Sequence, residues 1–339
     1  MKKKSKVVLV SVFLALSLLL SVYYNTTNAR ILVIHSYDEN YSWVKGLNAS
    51  YREALKAYPR AVLTRSHYLG LLGAPNAQRR ATAAASAMRA VEAFEPDVLV
   101  VFDDIAAELV TPTLLNRPNL RIVFAGIDAE LAEHGFDRAT NTTGILERVP
   151  LLALHEALND LGRGKPLTVA CLGDARGVSI AEARQLEAYN WSPHTFQPCR
   201  QAGDLPQWQA RVQELGAQAD VLFISGYRGV ARVPGDTKVV PPTELLAWTQ
   251  DHSQALPMAA KNGFVPDGGT LSISSSPQEQ GQEAGRMVVA LLQGRPISEQ
   301  PVRLGQAFVV TMHAQRLEQR GYRLPKVYEA AARAAGAYF

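Results

Sequence analysis

Apolar and polar positions follow two alternating periods along most of the chain. Ile31-Leu32-Val33-Ile34 is a continuous run of branched apolar residues, the pattern of a parallel strand buried on both faces. The polar and aromatic stretch from His35 to Trp43 interrupts it. From Val44 the apolar positions Val44, Leu47, Tyr51, Ala54 and Leu55 then fall near 3.6-residue spacing, which predicts an amphipathic helix. The unit repeats, with strands expected at 61–68, 98–102 and 120–124 and helices at 74–94 and 103–115. Strands separated by helices imply a parallel, doubly wound sheet.

At 141–150, NTTGILERVP, the pattern changes to an extended crossing segment whose Pro150 suits the first turn of a helix at 151–161. The alternation then restarts. Strands are expected at 167–172, 194–197, 220–224 and 257–260, and helices at 178–188, 205–216 and 241–253. A second crossing is expected at 261–269, followed by a strand at 271–274 and a helix at 278–293 that continues through Gly281 and Gly285. The third is expected at 301–310, before a last helix at 312–319. The fold class is therefore α/β, two doubly wound parallel-sheet domains joined by a three-segment hinge. One lobe takes residues 30–145 plus 264–299, the other 146–263 plus 300–339. About 310 residues after the N-terminal segment are too many for one ordinary core, and three crossings between similar halves describe a clamp able to close on a ligand.

Residues 1–29 read as an export segment. Lys2, Lys3, Lys4 and Lys6 precede an apolar stretch at 7–22 interrupted by three serines. As a helix its sixteen residues reach about 24 Å, short of the roughly 30 Å hydrocarbon core. Cleavage after Ala29 is the expectation; an uncleaved anchor lengthened by Tyr23-Tyr24 is the alternative. With no cysteine near position 30, a lipid anchor is not expected. These four lysines account for the whole formal charge of +4, which leaves the rest of the chain neutral. The basic pI therefore carries no argument for nucleic acid, and no later stretch is a basic run with interleaved aromatics. Only Cys171 and Cys199 are present. In an oxidising compartment they can pair; Cys171, in a predicted buried strand, equally suits a free buried thiol.

In open α/β sheets ligands bind outside the carboxyl ends of the strands, so the strand ends hold the candidate residues. In the first half these are Ser36, Tyr37 and Trp43, then Asp103 and Asp104, then Gly126, Ile127 and the adjoining Asp128. Asp103 suits a helix N-cap, which leaves Asp104 to face a cleft and meet a cation. Gly126 suits either a turn or close approach of a ligand to the backbone. Glu147, in the first crossing, suits a hinge or a ligand contact. Asp174, Tyr227 and Arg228 stand at strand ends of the second half, and an arginine can hold a carboxylate in a fork of two hydrogen bonds. Catalytic signatures are absent. No G-x-S-x-G, H-E-x-x-H or G-x-G-x-x-G occurs. Gly162-Arg163-Gly164-Lys165-Pro166 has proline where a phosphate loop needs Ser or Thr, and the seven histidines show no ligand spacing. The expectation is a binding protein with no cofactor and no metal.

Six stretches occur in an order that resembles one family: ILVIHSYDENYSW, the DD after VLVVF, IVFAGID, TGILE, the GG-x-L-x-I-S stretch and FVVTMHAQRLEQRGYRLP. The chain resembles the substrate-binding proteins of ABC transporters, with the type I periplasmic-binding-protein fold, in the branch of uncharacterised transport-system periplasmic components. Some relatives are similar to sensing domains of membrane kinases. The resemblance implies an exported, periplasmic monomer that captures a small polar ligand such as an amino acid between its lobes. The implied partner is an ABC permease, or alternatively a membrane sensor protein. It also implies Tyr37, Trp43 and Tyr227 as stacking partners and Asp104 as the partner of an ammonium. The chain departs from the family in lacking a lipobox cysteine and in carrying Lys261-Asn262 and Thr311 where other residues are expected.

Overall fold

The structure, a computed structural model, describes residues 10–17, 28–73, 76–236 and 238–339. Within the expected export segment residues 10–17 are helical, while the lysines and the stretch up to Thr27 lie outside the described residues. So does Ala74, the expected start of the second helix. Among the described residues no helix is long and apolar enough to cross a membrane.

Two sheets organise the chain. The first has six strands, in the order β12-β5-β4-β3-β1-β2. They are β1 (Ala29–His35), β2 (Val62–Tyr68), β3 (Val98–Phe102), β4 (Arg121–Ile127), β5 (Thr142–Leu146) and the late β12 (Arg303–Leu304), and all their pairings are parallel. Successive side chains of these strands go to opposite faces. Ile31, Val33, Val98 and Val100 pack on one face with α1 (Ser42–Leu55), while Leu32, Ile34, Leu99 and Val101 pack on the other with α2 (Ala77–Phe94) and α3 (Asp104–Val110). This two-sided burial is why the strands read as unbroken apolar runs.

The second sheet has seven strands, ordered β13-β11-β10-β9-β6-β7 with β8 paired to β6. They are β6 (Thr168–Asp174), β7 (Thr195–Phe196), β8 (Arg200–Ala202), β9 (Val221–Ile224), β10 (Leu256–Ala259), β11 (Leu271–Ser275) and β13 (Phe308–Met312). Only the β11–β13 pair is antiparallel. One face packs on α4 (Leu151–Gly162), through Leu154, Leu158 and Leu161. The other packs on α6 (Leu205–Gly216), through Trp208 and Val212, and on α7 (Pro242–His252), through Leu245 and Leu246. Between α4 and α6 lies α5 (Gly177–Ala188).

Two expected boundaries move. β11, expected in the first lobe, pairs within the second sheet, so the second crossing falls after Ser275 and not at 261–269. The chain returns there as α8 (Pro277–Leu292), which lies along α1 on the first lobe. Their close approach depends on glycine. A Cβ on Gly281 would stand 2.3 Å from the Leu47 carbonyl oxygen, and one on Gly285 2.9 Å from that of Tyr51. β12 then stays with the first sheet, so the third crossing shrinks to 305–307. The expected last helix starts two residues late, as α9 (Ala314–Gln319), because β13 runs through Met312. A further helix, α10 (Lys326–Ala334), comes after it. Cys171 and Cys199 form a disulfide, S–S 1.97 Å, so the open question of their pairing resolves to the bonded state. Gly162-Arg163-Gly164 is a helix end with Arg163 and Gly164 in the left-handed region, and not a phosphate loop.

Candidate functional site

The carboxyl ends of both parallel sheets face one another across a cavity of about 80 Å³. The first lobe supplies Tyr37, Tyr41 and Trp43 after β1, Asp103 and Asp104 after β3, and Gly126 and Asp128 at the end of β4. The second supplies Arg176 after β6, Gly226, Tyr227 and Arg228 after β9, and Lys261 and Asn262 after β10. Glu147, in the first crossing, lines it as well.

Asp103 does not cap α3 as expected, and Asp104, though it lines the cavity, is already bonded within the chain. Asp104 is occupied: its carboxylate accepts from the backbone of Asp128 at 3.0 Å and Ala129 at 3.2 Å, and His134 Nε2 lies 2.8 Å from Oδ1. It ties the start of α3 to the loop after β4. Asp103 makes no side-chain cap to α3 and has φ +70°. Its Oδ1 accepts from Trp43 Nε1 at 2.7 Å, while Oδ2 is buried with no hydrogen-bond partner among the described residues. Burial pushes this carboxyl well above its ordinary range; the bond from Trp43 opposes that shift and the charge of Asp104 adds to it. An acceptor of this kind invites a donor from outside the chain, because a buried polar atom without a partner is costly.

Gly126 is shaped by the same carboxylate. Its φ is +69°, and a Cβ there would stand 3.0 Å from Asp103 Oδ1. Its amide donates to Gln280 Oε1 at 2.8 Å, so α8 braces the cavity wall from behind.

The second lobe presents cations that are each shared with a carboxylate. Arg228 pairs with Asp267, which also accepts from Tyr227 Oη at 2.6 Å. The guanidinium lies 5.4 Å from the centre of the Tyr41 ring and 5.2 Å from that of Tyr227, within cation–π range. Arg176 Nε donates to Asp174 at 2.9 Å. Lys261 pairs with Glu182 of α5. Burial works to lower the Lys261 pKa, but Glu182, Asp128 and Glu147 outweigh it and keep the ammonium charged. Glu147 accepts from Ser275 Oγ, a bond between the first crossing and the end of β11, and burial followed by the charge of Asp128 raises its pKa well above the usual value. Burial likewise raises Asp128 to about 7, against the pull of Lys261.

Of the residues expected at the site, Tyr37, Trp43, Asp103, Asp104, Gly126, Asp128, Glu147, Tyr227 and Arg228 converge on the cavity, and three do not. Ser36 is fully buried behind it, donating to the Phe102 carbonyl at 3.0 Å and accepting from the Ala106 amide at 2.8 Å. Ile127 points into the apolar core beneath the sheet. Asp174 is fully buried, and although burial alone would raise its pKa, Arg176, Ser179 and two backbone amides hold it below the ordinary value. It positions Arg176 and does not face the cavity. Period-2 alternation carries the signal for Ile127, since a residue flanked by a cavity-facing neighbour belongs to the opposite face. Tyr41 and Arg176 line the cavity without having been singled out in the sequence, and Lys261 stands out there only as a departure from the family; the rule that strand ends line the cleft covers Arg176 after β6 and Lys261 after β10.

No protein-family model matches the chain, and no curated protein matches it. Solved structures do. A conserved domain protein from Vibrio cholerae superposes with a TM-score of 0.66 at 14% identity, covering 90% of this chain and 98% of that one. An ABC domain in complex with L-Trp from Streptococcus pneumonia gives 0.65 at 14%, covering 90% and 98%. A ligand-free, open substrate-binding protein with adhesive properties from Clostridium difficile gives 0.65 at 14%, covering 88% and 96%. Likeness at this identity speaks for architecture: the chain has the type I periplasmic-binding-protein fold of solved ABC-transporter solute-binding proteins.

Proposed function

We propose that the chain is an exported solute-binding protein that captures a small polar, amino-acid-like ligand in the interlobe cleft and delivers it to an ABC permease. The observation that carries this reading is Asp103 Oδ2, a buried carboxylate oxygen without a partner, set in a cavity walled by Trp43 and three tyrosines. An ammonium group supplies the missing donor and the missing charge together, and the rings add cation–π attraction. Arg228, Arg176 and Lys261, on the opposite lobe, are placed for the ligand's carboxylate, so that each end of a zwitterion holds one lobe. Closure then comes from differential affinity, since only the closed form contacts both ends. The L-Trp complex of the similar S. pneumonia domain supports an amino-acid ligand, and the shared fold supports export and transport.

Calorimetric titration of the purified protein with the proteinogenic amino acids tests the reading. Micromolar or tighter binding of at least one, lost in Asp103→Ala, is the expected result. Failure of every amino acid to bind, with simple sugars or aromatic acids binding instead, overturns it.

A further inference from the structure

The interlobe cleft has a second chamber. A cavity of about 440 Å³ adjoins the first, and Tyr37, Asp104, Arg176 and Val178 line both. None of the crossing residues borders it, so it lies on the side of the cleft away from the hinge.

The chambers differ in chemistry and size. The first holds the unpartnered Asp103 oxygen, and at about 80 Å³ it has room for roughly six water-sized groups. In the second, each ionic side chain already has a protein partner: Arg80 with Glu108 at 2.6 Å, Arg184 with Glu133 across the lobes at 3.6 Å, and His134 with Asp104. Arg176 is held by Asp174, and apart from it and Tyr37 the remaining walls are apolar, with Ile105 from the first lobe and Val178, Ile180 and Ala181 from α5. A charged group entering there would give up hydration against ion pairs that are already matched. An uncharged chain would lose only water-exposed apolar surface, a gain.

We infer that the ligand is elongated, with an amine-bearing head in the first chamber and an uncharged, largely apolar tail of several carbons passing between Tyr37 and Arg176 into the second. This rests on the amino-acid-like reading of the first chamber and adds the size and polarity of the ligand's tail.

The probes are the linear α-amino acids alanine, norvaline, norleucine and 2-aminooctanoate, titrated into the purified protein. Affinity is expected to rise roughly fourfold per added methylene until the chamber is filled. Ala181→Phe narrows the second chamber without touching the first, and is expected to abolish that rise while leaving alanine affinity unchanged. Alanine binding as tightly as its longer homologues overturns the inference and leaves the proposed function standing. A rise that survives Ala181→Phe overturns it too, because the tail then lies elsewhere. If no member of the series binds while another proteinogenic amino acid does, this inference fails and the amino-acid-like reading stands; if no amino acid of either set binds, both fail.

Discussion

Trp43 Nε1 donates to Asp103 Oδ1 at 2.7 Å, joining residues 60 positions apart, one in the first turn of α1 and one just after β3. The bond consumes one carboxylate oxygen, leaves the other without a partner and fixes the indole in the cavity wall.

Asp103→Asn is therefore expected to weaken ligand binding roughly ten- to a hundredfold, the worth of a charge-assisted hydrogen bond. Folding should be preserved, since the amide oxygen still accepts from Trp43. Trp43→Phe should weaken binding as well by freeing the Asp103 rotamer. Calorimetry with circular dichroism as the folding control checks both, and unchanged affinity in Asp103→Asn would place the ligand's amine on another group.

Asp128 provides a pH test. Burial raises its pKa to about 7, above the value near 4 of an unfolded chain. Between those values the folded state holds a proton that the unfolded state has released. This contribution is intact below about pH 4 and is lost as pH climbs through about 7. Asp128→Asn removes the dependence. Its stability advantage over the parent should grow with pH between 4 and 7, by at most about 1.4 kcal/mol per pH unit, and level off above. Urea midpoints at four pH values measure the gap; one that stays constant with pH would mean that Asp128 is ionised alongside Lys261 throughout.

Gly281→Ala distinguishes packing from propensity. In an exposed helix the change stabilises by roughly 0.5–1 kcal/mol. Here the new methyl would stand 2.3 Å from the Leu47 carbonyl oxygen on α1, and a loss of about 1–3 kcal/mol is expected as the helices are forced apart. Denaturant unfolding reads the sign, and a stabilised variant would refute close packing of α1 on α8.

The Cys171–Cys199 bond spans 28 residues. Chain-entropy arguments give a loss of about 3–4 kcal/mol when a loop of that length is opened. The Cys171→Ala/Cys199→Ala double variant should therefore melt well below the parent, and reductant should lower the parent's melting temperature but not the variant's. Equal melting temperatures would contradict a formed disulfide.

Local patterning was enough for much of this protein. Runs such as Val98–Phe102 must be two-sided buried strands because no polar residue breaks them, and helices of 3.6-residue period between them leave few alternatives to doubly wound sheets. The rule that ligands gather at strand ends placed Tyr37, Trp43, Gly126 and Tyr227 at the cavity. The properties that required the tertiary structure were those that depend on partners distant in the chain. Which sheet β11 joins is decided by its pairing with β10 and β13, and a strand's own residues do not encode its neighbours. Whether Asp103 or Asp104 offers a free oxygen is decided by Trp43, His134 and the backbone at 128–129, contacts 24 to 60 residues away. Two adjacent aspartates look alike in sequence, and only their packing separates the carboxylate that ties the loop after β4 to α3 from the one with an oxygen left unpartnered.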